Sequence, residues 1–259
     1  MARRWAVILG SSSGFGAAAA RAFAAEGYAI FGAHMDRRGG MAAVEALVEE
    51  LRSHDVPVVF HNGNAAGDDV REAALAALQA EMAEGDTVGV LLHSLAFGTL
   101  RPYFGESGTI GRRHLEMTLD VMAHSLVYWA QDLLSAGLLG HGSRVFAMTS
   151  SGSLAAWPSY GAVSAAKCAL ESHVRQLAVE LAPQGITANA IMAGVTETPA
   201  LKKIPGNDAI AAKALERNPS GRLTTPEDVA ACLVALAAPG TQWLTGNVLR
   251  VDGGEAISG

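Results

Sequence analysis

Residues 5–23 read WAVILGSSSGFGAAAARAF. A short apolar run, WAVILG (5–10), enters a turn that carries Gly10, Gly14 and Gly16. An alanine-rich stretch with helical composition follows. Gly10 permits the tight turn, Gly14 lets backbone approach a pyrophosphate, and Gly16 allows the helix to pack close to the strand. The unpaired N–H groups at the helix start then favour an anion. A glycine triplet alone is weak evidence, because any tight strand-to-helix turn favours glycine. Its place in the first strand–turn–helix unit makes it a dinucleotide-binding turn, with Gly10, Ser11, Ser13, Gly14, Phe15 and Gly16 as the binding loop.

The same rhythm continues along the chain. Further apolar runs are YAIFGAH (28–34), VPVVFH (56–61), TVGVLLH (87–93), SRVFAMTS (143–150), ITANAIMA (186–193) and NVLRVDGG (247–254). Runs this short and continuous suit strands buried on both faces. Helix-like segments lie between them at 14–26, 39–54, 67–84, 113–138, 160–182 and 226–238. The last opens with Thr225, Pro226 and an acidic first turn, a good helix start. The alternation predicts one α/β domain over residues 1–259, a doubly wound parallel (Rossmann) sheet of about seven strands. Segments 98–112 and 196–221 break the rhythm. The second, with its prolines, glycines and mixed charge, is expected to be a substrate lid.

Composition removes several alternatives. The chain has 259 residues, half of them hydrophobic, and a net charge of −6. No basic block suggests nucleic acid. No stretch of about eighteen apolar residues suggests a membrane span, and WAVILG lacks the flanks of a signal peptide. Cys168 and Cys232 have neither metal-like spacing nor an obvious pairing, so reduced thiols and a cytoplasmic location are expected. His93, His124 and His173 have no acid or cysteine partner at ligand spacing, and no metal is expected.

The second run ends GAHMDRR (32–38). His34 stands where a carboxylate would accept from a ribose 2′-hydroxyl. Asp36 follows two residues later, then Arg37 and Arg38. Paired guanidiniums suit a 2′-phosphate, so NADPH is the expected cofactor, with NADH possible and Asp36 then serving the ribose.

These pieces together resemble the short-chain dehydrogenase/reductase family across nearly the whole chain. The resemblance is carried by GSSSGFG, by Asn64 in NGNAA, by LLHSLAFG, MTSSGS and SYGAVSAAK, and by ANAIMAGVTETP and GNVLRVDGG. It implies that Asn64 lies by the adenine and that Ser94 and Ala96 line the nicotinamide-side ribose. It also implies cofactor contacts from Gly194, the Thr196 backbone and the Thr198 hydroxyl. Two departures stand out. The family's usual tyrosine, four before the lysine, is Val163 here, whereas Tyr160 lies seven before Lys167. The asparagine of the family's proton relay falls on Met122. Both departures resemble the enoyl-acyl-carrier-protein reductase branch, and the run around Tyr160 resembles its NADPH-using members. Ser150 fills the usual active-site serine position, where many members of the branch have a second tyrosine.

The spacing has a chemical reason. A ketone reductase must protonate the oxygen on the carbon that receives hydride. A 2-enoyl thioester takes hydride at C3, and charge appears on the more distant thioester oxygen. Moving the tyrosine three residues back shifts it about 4.5 Å along a helix, and seven residues keep it on the face of Lys167. Tyr160 is thus the oxyanion donor and candidate acid. Lys167 is expected to favour the phenolate and, by the resemblance, to bind the ribose. Ser150 either donates a second hydrogen bond or only caps a strand end. Phe97, Tyr103 and Trp157 are candidate acyl-pocket residues. Arg112, Arg113, Lys202 and Lys203 either meet an acidic carrier or form a solvated face. The expected substrate is an enoyl thioester on acyl carrier protein or coenzyme A. The rivals are a 3-oxoacyl thioester ketoreductase and a nucleotide-binding regulatory protein with a vestigial site. The resemblance further implies a homotetramer formed through helices 113–138 and 160–182.

Overall fold

The computed structural model describes residues 2–105 and 108–258. Seven strands form one parallel sheet: β1 (Arg4–Leu9), β2 (Ala29–His34), β3 (Val58–Asn62), β4 (Thr87–His93), β5 (Arg144–Thr149), β6 (Thr187–Ala193) and β7 (Val248–Val251). Their order across the sheet is β3-β2-β1-β4-β5-β6-β7. The order reverses between β1 and β4, which opens a crevice at their carboxyl ends. Each apolar run of the sequence is therefore a strand, within a few residues at its ends.

Strand residues alternate between two cores, as a two-residue side-chain period requires. Trp5, Val7 and Leu9 face one layer, with Phe31, Leu91 and Val145. That layer is covered by α3 (Asp68–Glu81), α5 (Ser125–Ser135) and α6 (Gly161–Glu180). Ala6 and Ile8 face the other, with Ile30, Leu92, Phe146 and Ile191. Covering it are α1 (Gly14–Ala25), α2 (Met41–Arg52) and α8 (Pro226–Leu236). Each large side chain so buried contributes about 1.5–3 kcal/mol, so these faces, not the crevice, hold the fold. The alanine row of α1, with Ala17, Ala19 and Ala20 buried, lets that helix lie close to the sheet.

Helix α8 starts as its sequence predicts. Thr225 Oγ1 accepts from the Asp228 amide at 3.2 Å, Asp228 accepts from the Thr225 amide at 2.8 Å, and Pro226 occupies the first turn. The single helix expected over 113–138 is broken. It runs as α4 (Arg112–Leu119), a π turn (Asp120–His124) and α5. Two hydroxyls back-bond to carbonyls four residues earlier at this point: Thr118 to His114 at 2.7 Å and Ser125 to Val121 at 2.8 Å. Segment 98–112 has no helix or strand among its described residues before α4; Glu106 and Ser107 of that segment lie outside them. Segment 196–221 is more ordered than its composition suggests. It holds a 3₁₀ turn (Leu201–Lys203) and a helix, α7 (Asn207–Arg217). No helix among the described residues is long and apolar enough to cross a membrane. Cys168 is an exposed free thiol and Cys232 a partly buried one.

Candidate active site

A cleft of about 370 Å³ opens at the carboxyl ends of β1 and β4. Its floor is the glycine turn. Gly10 and Gly14 have φ of +86° and +53°, and a Cβ on Gly10 would stand 2.6 Å from the Ser94 carbonyl oxygen. A Cβ on Gly16 would fall 2.0 Å from the Gly10 carbonyl oxygen. Only glycine fits these places, and the outcome is bare backbone facing the cleft. Ser13 caps α1 without a side-chain hydrogen bond, and the first turn holds no acid, so its amides remain open to an anion. This cradle fits a dinucleotide pyrophosphate.

The residues expected to bind cofactor divide into four sets. Gly10, Ser13, Gly14, Phe15, Asn64, Ser94, Ala96, Lys167 and Thr198 line the cleft. Ser11 and Gly16 lie beneath it, and the Ser11 hydroxyl donates to the Ala33 carbonyl at 3.3 Å. Thr196 is buried behind the wall and donates to the Gly194 carbonyl at 2.9 Å, and neither residue lines the cleft. Arg37 and Arg38 are exposed and do not line it either. Asp36 does, together with His34. The His34 ring is buried, and its Nδ1 lies 3.0 Å from Asp36 Oδ2. The carboxylate is thus held by His34 at the end of β2, in a residue that lines the cleft, while Arg37 and Arg38 stand exposed outside the lining.

The reacting end lies under β5 and α6. Tyr160, Lys167 and Ser150 all line the cleft. Tyr160 is set by the turn before α6. Its amide donates to the Trp157 carbonyl at 3.2 Å, with Pro158 second and Ser159 at φ +61° third. This is a proline-led turn with a left-handed third residue, a place that favours glycine and that serine occupies at some cost. The Tyr160 ring lies against Gly152, where a Cβ would come within 2.4 Å of Cε1. Burial pushes the phenol above its ordinary pKa, with the Ser150 hydroxyl pulling the other way. The Ser150 Oγ is buried yet closes no hydrogen bond within the protein. An orphaned buried hydroxyl beside a phenol is a donor pair waiting for an oxygen.

Lys167 is buried, and its Nζ donates to the Met148 carbonyl at 2.6 Å. Burial lowers its pKa to about 8, opposed by Glu171 one turn on. Glu171 accepts from the Thr149 hydroxyl at 2.6 Å. The expected pull of Lys167 on the phenol toward phenolate is not seen: the groups that shift Tyr160 are its own burial and Ser150. The phenol therefore stays protonated at neutral pH and suits a hydrogen-bond donor. Beneath the site, His93 is wholly buried, with Nε2 2.9 Å from Ser125 Oγ. Burial and then Lys167 lower its pKa to about 3, so it is neutral.

Val163 and Met122 occupy the positions of the displaced tyrosine and the relay asparagine. Both are buried, line the cleft and belong to one small apolar cluster with Ala166, against which Tyr160 and Leu100 pack. No hydroxyl stands at the inner position. Phe97 lines the mouth and is half exposed, while Tyr103 and Trp157 lie outside the lining. The ring of Tyr103 covers Gly161, where a Cβ would lie 2.5 Å from Cζ. Lys203 lines the cleft, whereas Arg112, Arg113 and Lys202 do not.

The family profile described as enoyl-(acyl carrier protein) reductase matches residues 10–255. The chain belongs to that family. Its fold is that of a short-chain dehydrogenase/reductase, an oxidoreductase class that uses a nicotinamide cofactor. The chain is 33% identical over 151 residues, 57% of its length, to the 1-cyclohexenylcarbonyl-CoA reductase of Streptomyces collinus. It is 30% identical over 173 residues, 67% of its length, to the NADH enoyl-acyl-carrier-protein reductase of Aquifex aeolicus. These matches span 53% and 64% of the two relatives' own lengths. In structure, the Aquifex aeolicus VF5 enzyme superposes over 100% of this chain and 98% of its own, with a TM-score of 0.86 at 25% identity. The chain is also 31% identical over 98% of its length to the cis-4-hydroxycyclohexanecarboxylate dehydrogenase of Sinomonas cyclohexanicum, covering 96% of that protein.

One residue beside the site and one contact outside it escaped the sequence. Gly152 was one small residue among serines, and only the Tyr160 ring lying on it reveals its use. The contact between His124 Nδ1 and His173 Nε2, 2.9 Å, joins the π turn to α6 outside the cleft. Nothing in the spacing of 49 residues signals that contact.

Proposed function

We propose that this protein reduces the carbon–carbon double bond of a 2-enoyl thioester, carried on coenzyme A or acyl carrier protein. One observation carries the reading. The only phenol lining the cleft among the described residues is Tyr160, one helical turn back from an inner position filled by Val163 and Met122. A ketone reductase needs its donor at that inner position. An enoyl thioester needs it further out, at the thioester oxygen.

When bound, the dinucleotide supplies the hydride. The glycine turn and the start of α1 would hold its pyrophosphate, with Asn64 beside the adenine and Ser94 and Lys167 at the nicotinamide-side ribose. Lys167, held at the Met148 carbonyl, would keep a positive charge below the site. The Tyr160 hydroxyl would donate to the thioester oxygen as negative charge builds there, and the Ser150 hydroxyl would donate alongside it. Tyr160 would then hold the proton that the enolate takes up. Val163, Met122 and Leu100 would exclude water from the acyl side.

We assign NADH in place of the NADPH expected from the sequence. Asp36 lines the cleft with its carboxylate held by His34, and a carboxylate accepts from a ribose 2′-hydroxyl but repels a 2′-phosphate. The NADH named for the Aquifex relative supports the same choice. Residues 196–221 act as a lid in this reading, since Thr198, Pro199, Ala200, Lys203 and Ile204 line the cleft wall. A homotetramer formed through the α4–α5 and α6 faces is part of the reading, and a sedimentation mass four times that of the chain would support it.

Tyr160→Phe tests the assignment. It should lower kcat with crotonyl thioester by about 10²-fold or more, the scale of a lost oxyanion donor or acid. Cofactor affinity should hardly change. Full turnover in the variant would rule the assignment out.

A further inference from the structure

The opposite end of the sheet holds a second cavity, of about 290 Å³, away from the catalytic cleft. The amino ends of β1, β4 and β5 line it through Arg4, Gly89 and Arg144, and Pro239 and Gln242 close it beyond α8. Two guanidiniums meet there. Arg4 lies over the Tyr28 ring, 5.0 Å from its centroid. It also lies against Gly89, where a Cβ would stand 2.6 Å from Nε, so the absent side chain makes room for it. Arg144 is 1% exposed, and its two terminal nitrogens donate to carbonyls of Gly142, Ser143 and Ala238. Its buried Nε has no partner.

The charge balance is the anomaly. Burying a cation is costly unless it is paired. Other partly buried arginines here obey that rule: Arg71 meets Asp68 and Asp132. Among the described residues, neither Arg4 nor Arg144 has a carboxylate within ion-pair distance. The carbonyl end of α8, reached through Ala238, offsets about half a charge. The second guanidinium has only the Tyr28 ring and the Gly142 carbonyl for partners; burial lowers the pKa of Arg144 and Arg4 lowers it further, as like charges do. Arg144 is buried, so the pair is not simply a solvated basic face.

We propose that this cavity binds a doubly charged oxyanion, a phosphate or a phosphate monoester. Arg4 lines it and spends one terminal nitrogen on the Gly142 carbonyl at 3.4 Å, which leaves further N–H groups for an anion, and Arg144 supplies the field behind them. Guanidinium forks match phosphate oxygens, and a dianion matches two cations. The site is independent of the enoyl-reduction reading, because no residue of it touches the catalytic cleft.

Isothermal titration with inorganic phosphate tests it, with excess NADH present to occupy the glycine turn. Saturable binding is expected in the native protein, beyond any effect of chloride at matched ionic strength. Arg4→Gln should weaken it at least tenfold while leaving enoyl thioester turnover unchanged. Arg4→Lys, which keeps the charge and loses the fork, should also bind more weakly than native. No saturable binding, an equal effect of chloride, or an unchanged constant in both variants would overturn the proposal.

Discussion

Tyr160 and Asp36 carry the specific content of this site, and they were legible to different degrees. The Tyr160–Lys167 spacing is a property of the chain, because a helix converts seven positions into one face. Asp36 was visible as a ribose ligand only in the NADH alternative, behind Arg37 and Arg38 for a 2′-phosphate. Its role depends on how the end of β2 turns and on the bond to His34, which no local pattern encodes. The prediction at Asp36 follows from one charge-assisted hydrogen bond, worth about 1.5–3 kcal/mol, or at least about tenfold. Asp36→Ala should lower kcat/KM for NADH about tenfold or more while leaving NADPH unchanged or improved. A native preference for NADPH, undisturbed by this substitution, would return the 2′ end to Arg37 and Arg38. Lys167 adds a pH dependence. Its pKa is lowered from 10.5 to about 8, so the ammonium is lost as pH rises through that value. The kcat/KM for the cofactor should therefore fall above about pH 8 and hold level below it. A Lys167→Arg protein that retains turnover stays charged and should lack this alkaline limb. A native profile flat to pH 10 would show that the charge is not needed.

At the scale of elements, strands were the easiest to read and short helices the hardest. Seven apolar runs became seven strands because the five inner strands are almost wholly buried, while β3 and β7, partly exposed at the sheet edges, still keep short apolar runs. Helix α7 escaped because only Ala214 of its eleven residues is buried, so it has no apolar stripe to detect. The π turn escaped because Thr118 and Ser125 look like ordinary helix residues until their hydroxyls bond to the chain. The turn at Pro158–Ser159 fixes the start of α6, and with it the height of Tyr160. Segment 196–221 has the composition of a lid and also supplies one wall of the cleft. Thr198 Oγ1 ties its first turn by accepting from the Leu201 amide at 3.2 Å. Hydrogen exchange should find this segment the fastest-opening part of the chain without substrate, and protected when an acyl thioester analogue binds. A segment already protected and unaltered by the analogue would not be a lid.

The whole molecule is one sheet with different chemistry at its two ends. At the carboxyl ends of the strands the topology reverses, the glycine turn exposes backbone, and the hydroxyls of Tyr160 and Ser150 converge. At the amino ends Arg4 and Arg144 meet with no carboxylate at ion-pair distance among the described residues. The fold class, the glycine turn and the Tyr160–Lys167 spacing were all readable from residue order, because each rests on local spacing. The second cavity was not, since it joins residues 4, 89 and 144 only through the register of three strands. The central claim is that the donor's outward position selects an enoyl thioester over a ketone. Its most direct measurement is kcat/KM for crotonyl thioester against acetoacetyl thioester, on one carrier and with NADH. The account predicts that the crotonyl substrate is reduced at least a hundredfold more efficiently, about 2.7 kcal/mol of discrimination. Preferential reduction of the acetoacetyl thioester would contradict it.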